Sequence, residues 1–219
     1  IVVSTSTPYA GLEQLCERHG VSLQVHGPNG GIGHDWNVAY TSATTDWVTL
    51  AHQDDVYDPT YAAFVSERAS LHPYDRMVFS TYYEIVNGAR RPTARMLRIK
   101  RLLLELGFLG APRVTSRTRK RRVLRLGNPV PCPAVALNKR MLPDFRFRDD
   151  MKTNMDWVAW LDIAEEPGGI GLSRRPLVGH RIHPESETSA TIQRGDRFRE
   201  DLEIFKSLQV GLGYDIEFR

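Results

Sequence analysis

Residues 46–57 read DWVTLAHQDDVY, a short apolar and partly β-branched run that ends at two adjacent carboxylates, Asp54 and Asp55. A strand that brings an Asp pair to its carboxyl end is how an open α/β sheet presents a metal and phosphate site to solvent. Two neighbouring anions are costly to hold together without a cation, which favours a divalent ion at this pair. The alternative is an acidic turn, because Asp favours turns and Asp58-Pro59 follows directly.

The composition is that of an ordinary globular protein, because 41% of the 219 residues are hydrophobic and 25% are charged. A chain of this length suits one domain with an elaborated segment and can bury a substantial core. Cys16 and Cys132 are far apart and have no partners at metal-ligand spacing, so we expect reduced thiols in a cytosolic protein. No apolar run approaches the roughly 18 residues of a membrane-spanning helix. The chain begins on a strand-like stretch without an initiator Met or a signal peptide, from which we expect a trimmed N-terminus.

Positive charge is concentrated in one segment. Residues 90–125, here called the basic module, hold 13 Lys or Arg and one acid, Glu105, for a net charge of +12, whereas the rest of the chain carries 16 basic and 25 acidic residues. Helical spacing within the module predicts an apolar stripe of Met96, Ile99, Leu103 and Leu106, widened by Leu102 and Leu109. Arg95, Arg98, Arg101 and Glu105 fall on the opposite side. The pattern predicts an amphipathic basic helix.

The first third of the chain alternates between strand and helix patterns. The predicted order is a strand at 1–3, a helix at 12–18, a strand at 21–26, a helix at 34–44 and a central strand within 46–50. Strand, helix, strand is the start of a nucleotide-binding α/β layout. The Gly-rich loop at 27–33, with Gly31, can let backbone amides approach phosphates or sugar hydroxyls. Further strands are predicted at 77–86 and 130–137, a turn with a short strand at 168–178, and helices at 61–71, 157–164 and 198–208.

Four motifs in one order carry a family resemblance. They are the strand ending Gln53-Asp54-Asp55, the Gly-rich loop with Asn37, the Asp156-Trp157 pair and the Arg181-x-His183 ending. With these motifs the chain resembles an inverting family 2 glycosyltransferase of the GT-A fold, over Ile1 to about Ser189. The Gly127-Asn128-Pro129 to Ala134 segment, followed by Asp156, is similar to bacterial members that build surface polysaccharides.

The resemblance implies one GT-A-like (Rossmann-like) α/β domain, with a mixed, mostly parallel central sheet flanked by helices and a basic helical insertion. Its parts would be a nucleotide-sugar-binding half at 1–88, the basic helical segment at 89–127, and an acceptor-side half with a C-terminal helix at 128–219. The implied activity is metal-dependent, inverting transfer of a hexose-type sugar from a nucleotide donor to a carbohydrate acceptor.

The resemblance also implies roles for single residues. Asp55 would bind Mg²⁺ or Mn²⁺ and Asp54 would contact the metal shell or the donor ribose and sugar. A late histidine can complete the metal site; His183 is the better match and His180 the spare, and the alternative for His183 is an ordered loop histidine. The remaining donor-binding residues are expected to be Thr5 and Ser6 at the end of the first strand, Gly31 and Asn37, although hydroxyls in a turn need no function.

Asp156 occupies the position of the family's catalytic base. Inversion requires the acceptor hydroxyl to be deprotonated on the face opposite the leaving group, which one positioned carboxylate can do, while a divalent ion neutralises the departing diphosphate. Asp149 and Asp150 compete for this role, and the alternative for Asp156 is a plain helix cap. The helix dipole is expected to lower the pKa of Asp156. Trp157 and Arg181 are assigned to the acceptor side.

Three other tryptophans, Trp36, Trp47 and Trp160, are expected in the core because they lie inside predicted elements.

The sequence departs from the family in two places. The acidic residue that usually follows the second strand and pairs with the donor base is absent, and His26-Gly27-Pro28-Asn29 stands there. The identity of the donor nucleotide is therefore open. His52 replaces the first acid of the fuller acidic motif and is either a ligand or, as we expect, a packed or hydrogen-bonded histidine.

The basic module has three interpretations. A solvated cationic face is one, but +12 exceeds what solubility requires. A nucleic-acid surface would need interleaved aromatics, and Phe108 is the single aromatic residue of the module. The third, a basic helix on an anionic membrane with Leu102, Leu103 and Leu106 in the interface, fits best. It would suit a lipid-linked acceptor and a cytoplasmic enzyme held peripherally at the inner face of the plasma membrane.

Two other functions compete with sugar transfer. A sugar nucleotidyltransferase would need a Gly-rich loop with a phosphate-binding Lys or Arg near the first strand, and residues 4–11 contain neither. A non-catalytic basic module that binds membrane or nucleic acid would lose nothing when Asp55 is replaced by Ala.

Overall fold

The computed structural model describes residues 1–91, 95–183 and 195–210; Ser189, where the resemblance ends, lies outside them. The described residues form the strands β1 (Val2–Thr5), β2 (Ser22–Val25), β3 (Trp47–Thr49), β4 (Val56–Tyr57), β5 (Met77–Val86), β6 (Ala89–Arg91), β7 (Arg113–Val114), β8 (Val135–Asn138) and β9 (Ile170–Ile182). Their helices are α1 (Leu12–Arg18), α2 (Ile32–Ser42), α3 (Tyr61–Leu71), α4 (Arg95–Phe108), α5 (Arg117–Leu124), α6 (Met155–Glu165) and α7 (Asp196–Val210). Short 3₁₀ turns lie at Cys132–Ala134 and Lys139–Met141.

The N-terminal unit is a strand–helix–strand, as predicted. β1 and β2 pair in parallel, from Val2 opposite Ser22 to Thr5 opposite Val25, with α1 as the crossover. Parallel pairing brings the carboxyl ends of both strands to one edge. The His26 N–H extends the pairing by donating to the Thr5 carbonyl at 2.9 Å.

The main sheet is mixed and follows the order β3-β8-β5-β9-β4, with β6 on β5 and β7 on β9. Its longest pairing, between β5 and β9, is parallel, whereas the shorter pairings around it are antiparallel. Helices flank the sheet, and the predicted α/β class is confirmed. β3, however, lies at one end of this order and, within the described residues, pairs with β8 alone, so the prediction of a central strand was wrong. Its Val48 is only 7% exposed because other core residues pack on it.

The core lies between β5 and the helix α6. Met77 and Phe79 on β5 are buried in one cluster with Trp160 of α6, which confirms that tryptophan as a core residue. β9 is longer than the short strand predicted near 168–178, since it runs without a break to Ile182. Because of this length, the last residues of β9 lie beyond the core and contact the acidic pair Asp54-Asp55.

The basic module packs on the body through α4 and α5. Leu97, Leu104 and Phe108 are the buried apolar residues of α4, and the stripe predicted from the sequence lies largely on its exposed side. These buried residues form a second apolar face of α4, which the predicted stripe does not include. At Gly107 the backbones approach so closely that an added Cβ would lie 2.6 Å from the Arg119 carbonyl oxygen.

Several cations of the module are held by the fold. Arg113 makes a two-oxygen ion pair with Asp75, with contacts of 2.6 to 2.9 Å. Lys120 is buried and donates to the carbonyl oxygens of Glu166 and Gly168. Within the described part of the chain, no helix is long and apolar enough to cross a membrane.

Candidate functional site

The register of β4 on β9 brings the acidic pair to the end of the chain's longest strand. Val56 lies opposite Gly179 in antiparallel pairing. Continuing that register sets Asp55 beside His180 and Asp54 beside Arg181. The two acids belong to the loop between β3 and β4 rather than to the end of β3 itself.

Residues at the end of β9 hold both carboxylates. His180 Nδ1 lies 3.0 Å from Asp55 Oδ1, and the Arg181 backbone N–H donates to the same oxygen at 2.9 Å. His183 Nε2 lies 3.0 Å from Asp54 Oδ2. The Arg181 guanidinium donates through Nε to the Asp54 carbonyl at 2.8 Å. Arg181 therefore braces the acidic loop, whereas the sequence assigned it to the acceptor side.

Asp55 keeps one coordinating atom unused. Its side chain is fully buried, and Oδ2 has no hydrogen-bond partner among the described residues. His52 Nδ1 lies 3.8 Å from that oxygen, and His52 Nε2 is also buried without a partner in the described part of the chain. Ligand atoms of His52, Asp54 and Asp55 lie within 4.8 Å of one another. Buried polar atoms in this state require a water, an ion or a ligand as partner.

The charge states of these groups suit a cation. Burial lowers the pKa of His52, more than the nearby Asp55 and Asp54 raise it, so its imidazole is neutral at physiological pH. Burial would raise the pKa of Asp55, but the hydrogen bond and charge of His180 and the Arg181 N–H outweigh it, and the pKa lies below the ordinary value. A neutral imidazole and ionised carboxylates are metal-binding forms. Mixed nitrogen and oxygen donors suit Mn²⁺ better than Mg²⁺, which prefers oxygen ligands and water.

Asp156 lies in the first turn of α6, where Asn154 is the N-cap. Asp156 is therefore not the cap. The Asn128 side-chain amide donates to Asp156 Oδ2 at 2.8 Å, and the Trp157 N–H donates to Oδ1 at 2.7 Å. Burial raises the pKa of Asp156 to about 6 against the lowering effects of these bonds and of the nearby Lys100. The expectation of a lowered pKa was wrong, because desolvation exceeds the effect of the helix N-terminus.

Cys132 lies buried in the 3₁₀ turn at Cys132–Ala134. Burial, together with the negative charges of Asp156 and Asp55, holds the pKa of the Cys132 thiol well above its usual value. The thiol stays protonated and is no nucleophile.

Two predicted site residues have structural contacts instead. Trp157 is 2% exposed, donates through Nε1 to the Leu124 carbonyl at 2.9 Å and packs on Phe205, so its assignment to the acceptor side was wrong. The Asn37 side chain is buried and exchanges two hydrogen bonds of 2.8 Å with the backbone of Phe147. This pairing joins α2 to the segment before α6 and occupies both ends of the amide.

The competing acids lie outside this arrangement. Asp149 and Asp150 are exposed, and Asp150 pairs with Arg148.

A second polar cluster lies at the ends of β1 and β2. Ser6 Oγ donates to Asp35 Oδ2 at 2.7 Å, and Asp35 Oδ1 lies 4.0 Å from His26 Nδ1. Asp35 Oδ1 and both ring nitrogens of His26 are buried and, among the described residues, have no hydrogen-bond partner. Ligand atoms of His26, His34 and Asp35 lie within 4.8 Å of one another. Thr5 ends the adjacent strand, and its hydroxyl accepts from the Thr7 N–H at 3.1 Å.

Gly31 lies beside this cluster, at the N-cap of α2, where its φ of 92° suits glycine. Its N–H donates to Asn29 Oδ1 at 2.9 Å. Asp35, His26 and Asn128 were assigned no functional role from the sequence. The residues after β2 lack the acid that the family usually has there. Nothing in the sequence indicated that Asp35 of α2 would supply a carboxylate at the same edge.

Comparison with known proteins supports the fold. No family model and no curated protein matches the sequence. Among solved structures, S. aureus TarS 1-349 in complex with UDP-GlcNAc is 16% identical, with 86% of this chain and 51% of that chain covered and a TM-score of 0.59. The same TarS segment in complex with UDP gives 16% identity, coverages of 84% and 51%, and a TM-score of 0.55. A structure titled S. aureus TarS gives 17% identity, coverages of 99% and 34%, and a TM-score of 0.63.

At these identities the likeness is one of fold, and the chain shares the α/β fold of the matched part of the TarS structures. It spans about half the length of the TarS 1-349 structures.

Proposed function

We propose that this chain transfers a sugar, with inversion, from a nucleoside-diphosphate sugar to a carbohydrate acceptor, in the manner of a family 2 hexosyltransferase of bacterial surface polysaccharide synthesis. The observation that carries the proposal is the cluster of Asp54, Asp55 and His52 at the end of β9, with buried coordinating atoms left unpaired. The TarS structures with UDP and UDP-GlcNAc share this fold and support a uridine nucleotide as donor.

We assign the nucleobase to the cluster of Ser6, His26 and Asp35. The ligand of an open α/β sheet binds outside the carboxyl ends of its strands, which is where these residues lie. Uracil presents a ring N–H between two carbonyl oxygens. The unpaired Asp35 Oδ1 can accept from the N–H, and His26 can donate to a carbonyl. Adenine and cytosine present an unprotonated ring nitrogen in that position, which a carboxylate would repel.

The backbone around Gly31 supports the phosphate side of the donor. Gly31 opens α2, and the N-terminus of a helix favours anions. Thr5 ends β1 at the same edge, and Asp54, within the cluster of His52, Asp54 and Asp55, would contact the donor ribose and sugar. Asn37 would contribute by fixing α2 rather than by touching the donor.

A divalent cation, with Mn²⁺ favoured over Mg²⁺, would be held by Asp55 with His52 and a histidine of the β9 end. Both His180 and His183 are within hydrogen-bond distance of the acidic pair, so either can serve. Such an ion supplies neutralisation of the charge that develops on the departing diphosphate.

Asp156 is the proposed base. It accepts the proton of the acceptor hydroxyl while the oxygen forms a bond to the anomeric carbon and the bond from that carbon to the diphosphate oxygen breaks. The configuration at the anomeric carbon inverts, and the nucleoside diphosphate leaves with the bonding electrons. A pKa of about 6 leaves Asp156 ionised at neutral pH yet basic enough to take a proton in the transition state. Asn128 orients the carboxylate.

The test is a transfer assay with uridine, thymidine and guanosine diphosphate sugars, Mn²⁺ and a panel of saccharide acceptors. The expected product has an anomeric configuration opposite to that of the donor, as read by NMR. Asp156→Asn should abolish turnover, while Asp144→Asn, an exposed acid in the loop before α6, should retain it. Retained configuration, or full turnover by Asp156→Asn, would contradict the proposal.

A further inference from the structure

The helix α4 exposes an apolar stripe that no described residue covers. Its inner side is filled by Leu97, Leu104 and Phe108. Four large apolar residues of the helix stay exposed, namely Met96 (56%), Ile99 (44%), Leu102 (65%) and Leu106 (42%), and Leu109, directly after the helix, is 66% exposed. Scattered apolar residues on a surface are normal, but a contiguous stripe marks an interaction site.

The stripe continues onto the segment after α5. Leu126 is 59% exposed. Its neighbour Gly127 packs near α4, because a Cβ on Gly127 would lie 4.0 Å from Leu103 Cδ1. The α4 stripe, as the term is used here, comprises these four residues of the helix together with Leu109 and Leu126. It belongs to two connected elements and not to one turn of one helix.

Arginines without carboxylate partners flank the α4 stripe. Arg98, Arg122 and Arg125 are exposed, and none of them forms an ion pair with an acid of the described residues. Arg117 and Arg121 of the same module are instead neutralised by Glu165. The basic module therefore exposes unpaired arginines as well as large apolar side chains, while Arg117 and Arg121 are held by Glu165 of α6.

We propose that the α4 stripe and its flanking arginines dock on the surface of an anionic lipid bilayer. A helix of 14 residues is about 21 Å long and cannot cross a hydrocarbon core of about 30 Å, so it lies in the interface. Apolar side chains enter the boundary between headgroups and acyl chains, and arginines bind lipid phosphates. The exposed leucines therefore match the apolar part of the interface, and the unpaired arginines match its anionic headgroups.

Two other occupants fit the surface less well. A nucleic acid would stack its bases on aromatic side chains, and Phe108, the aromatic residue of the module, is fully buried. A second copy of the chain would cover the apolar stripe, but a two-fold interface brings the same arginines of both copies together, and like charges repel.

The docking helix is connected to the candidate active site. Lys100 of α4 donates to the Tyr82 hydroxyl at 2.9 Å, and the Tyr82 ring contacts the His180 ring, which in turn lies beside Asp55. The positive charge of Lys100 also acts on Asp156. If the proposed function holds, docking brings the base to the bilayer surface, where a lipid-linked acceptor presents its saccharide. The docking itself does not depend on that function.

The experiment is co-sedimentation of the full chain with vesicles at about 0.15 M salt, where exposed charges are screened beyond about 8 Å. Vesicles of phosphatidylcholine alone are compared with vesicles that also contain phosphatidylglycerol. The chain should bind the anionic vesicles and largely ignore the neutral ones. Loss of the difference between the two, or no binding to either, would overturn the proposal.

Two variants separate the apolar from the electrostatic contribution. Leu102→Gln with Leu106→Gln should weaken vesicle binding by at least about tenfold, since two side chains leave the interface. Arg98→Gln with Arg122→Gln and Arg125→Gln should weaken it on the order of 100-fold. All five positions are exposed, so thermal melting should be unchanged.

Matched controls come from the rest of the surface. Leu71→Gln on α3 and Arg18→Gln on α1 alter exposed residues outside the module, and Arg18, like the three module arginines, forms no ion pair with an acid of the described residues; both variants should bind vesicles as the unmodified chain does. Equal losses in these controls would indicate non-specific adhesion and contradict the proposal. So would a dimer in size-exclusion chromatography that dissociates in the leucine variant, or binding of duplex or single-stranded DNA in preference to the anionic vesicles.

Discussion

Asp156 combines a position in the first turn of a helix with a raised pKa, two features that favour opposite protonation states. Because a base must be ionised, we expect turnover to rise with pH through about 6 and then to level off. The measurement is the pH dependence of the turnover rate at saturating donor. A rate that is flat from pH 5 to pH 8 would be inconsistent with Asp156 as the base.

The raised pKa of Asp156 also predicts how the free energy of unfolding depends on pH. The folded pKa of about 6 exceeds the ordinary value of 3.8, so the fold favours the protonated form and loses stability as pH rises through about 6. Asp156→Asn removes the charge and can keep the hydrogen bond from Asn128. After a discount for partial solvent exposure, we expect the free energy of unfolding at pH 8 to rise by about 1 kcal/mol, or about 2–4 °C in Tm.

At pH 4 that difference should vanish, because both folded proteins are then uncharged at this position. A variant that is inactive but more stable at pH 8 would identify a carboxylate retained for chemistry. Destabilisation at pH 8 would show that Asp156 serves mainly as a structural group of α6.

Asp35 gives a prediction on donor choice. Asp35→Asn removes a charged acceptor and introduces an amide that can donate to the ring nitrogen of cytosine. We expect UDP affinity to fall about 10- to 100-fold, the usual range for a hydrogen bond to a charged group. CDP affinity should fall less. Calorimetric titration of both nucleotides checks the ratio, with exposed Asp46→Asn as the control; unchanged UDP affinity would remove Asp35 from the nucleobase site.

Residues that act through local patterns were predictable, and residues that meet through the fold were not. Asp55 and His183 belong to recognisable short motifs. The contacts of Asp55 with His180 and of Asp54 with His183 span 125 and 129 residues and depend on the β4–β9 register. Asp35 was missed because its meeting with His26 requires α2 to return to the ends of two parallel strands.

Among the elements, α4 shows most clearly what periodicity can and cannot establish. The helix was predicted as amphipathic and basic, and it begins at Arg95 and ends at Phe108. Its sequence carries apolar residues on two sides. Only packing decides between them, because Leu97 and Leu104 meet the body while Leu102 does not.

Gly107 provides a test of how α4 and α5 pack. An added Cβ would lie 2.2 Å from Val123 Cγ2 and 2.6 Å from the Arg119 carbonyl oxygen, which belongs to the backbone and cannot easily move. Alanine improves helix propensity by about 1 kcal/mol, yet overpacking typically costs about 1–3 kcal/mol. We expect Gly107→Ala to destabilise the protein, as measured by urea unfolding.

The matched control is Ile99→Ala, at an exposed position of the same helix, which should change the free energy of unfolding by less than about 0.5 kcal/mol. If Gly107→Ala were instead stabilising, the close crossing of α4 and α5 would be wrong.

For the whole molecule, the alternation of strand and helix patterns predicted an α/β fold, and the family resemblance implied a mixed sheet. The apolar residues of β3 predicted a central strand. β3 lies instead at one end of the strand order of the described residues, where core side chains rather than a second neighbouring strand bury Val48. The predicted β9 was also too short, although the last residues of that strand hold the acidic pair. Strand order and register are properties of long-range pairing, and they decide the composition of the candidate site.

The most direct test of the account is calorimetric titration of UDP into the chain with Mn²⁺ and again after chelation, with Asp55→Asn measured alongside. We predict that UDP binds in the presence of Mn²⁺, that chelation weakens binding at least about tenfold, and that Asp55→Asn with Mn²⁺ resembles the chelated protein. Equal UDP binding with and without Mn²⁺, or unaltered Mn²⁺-dependent binding in Asp55→Asn, would contradict a metal-dependent nucleotide-sugar site at this acidic pair.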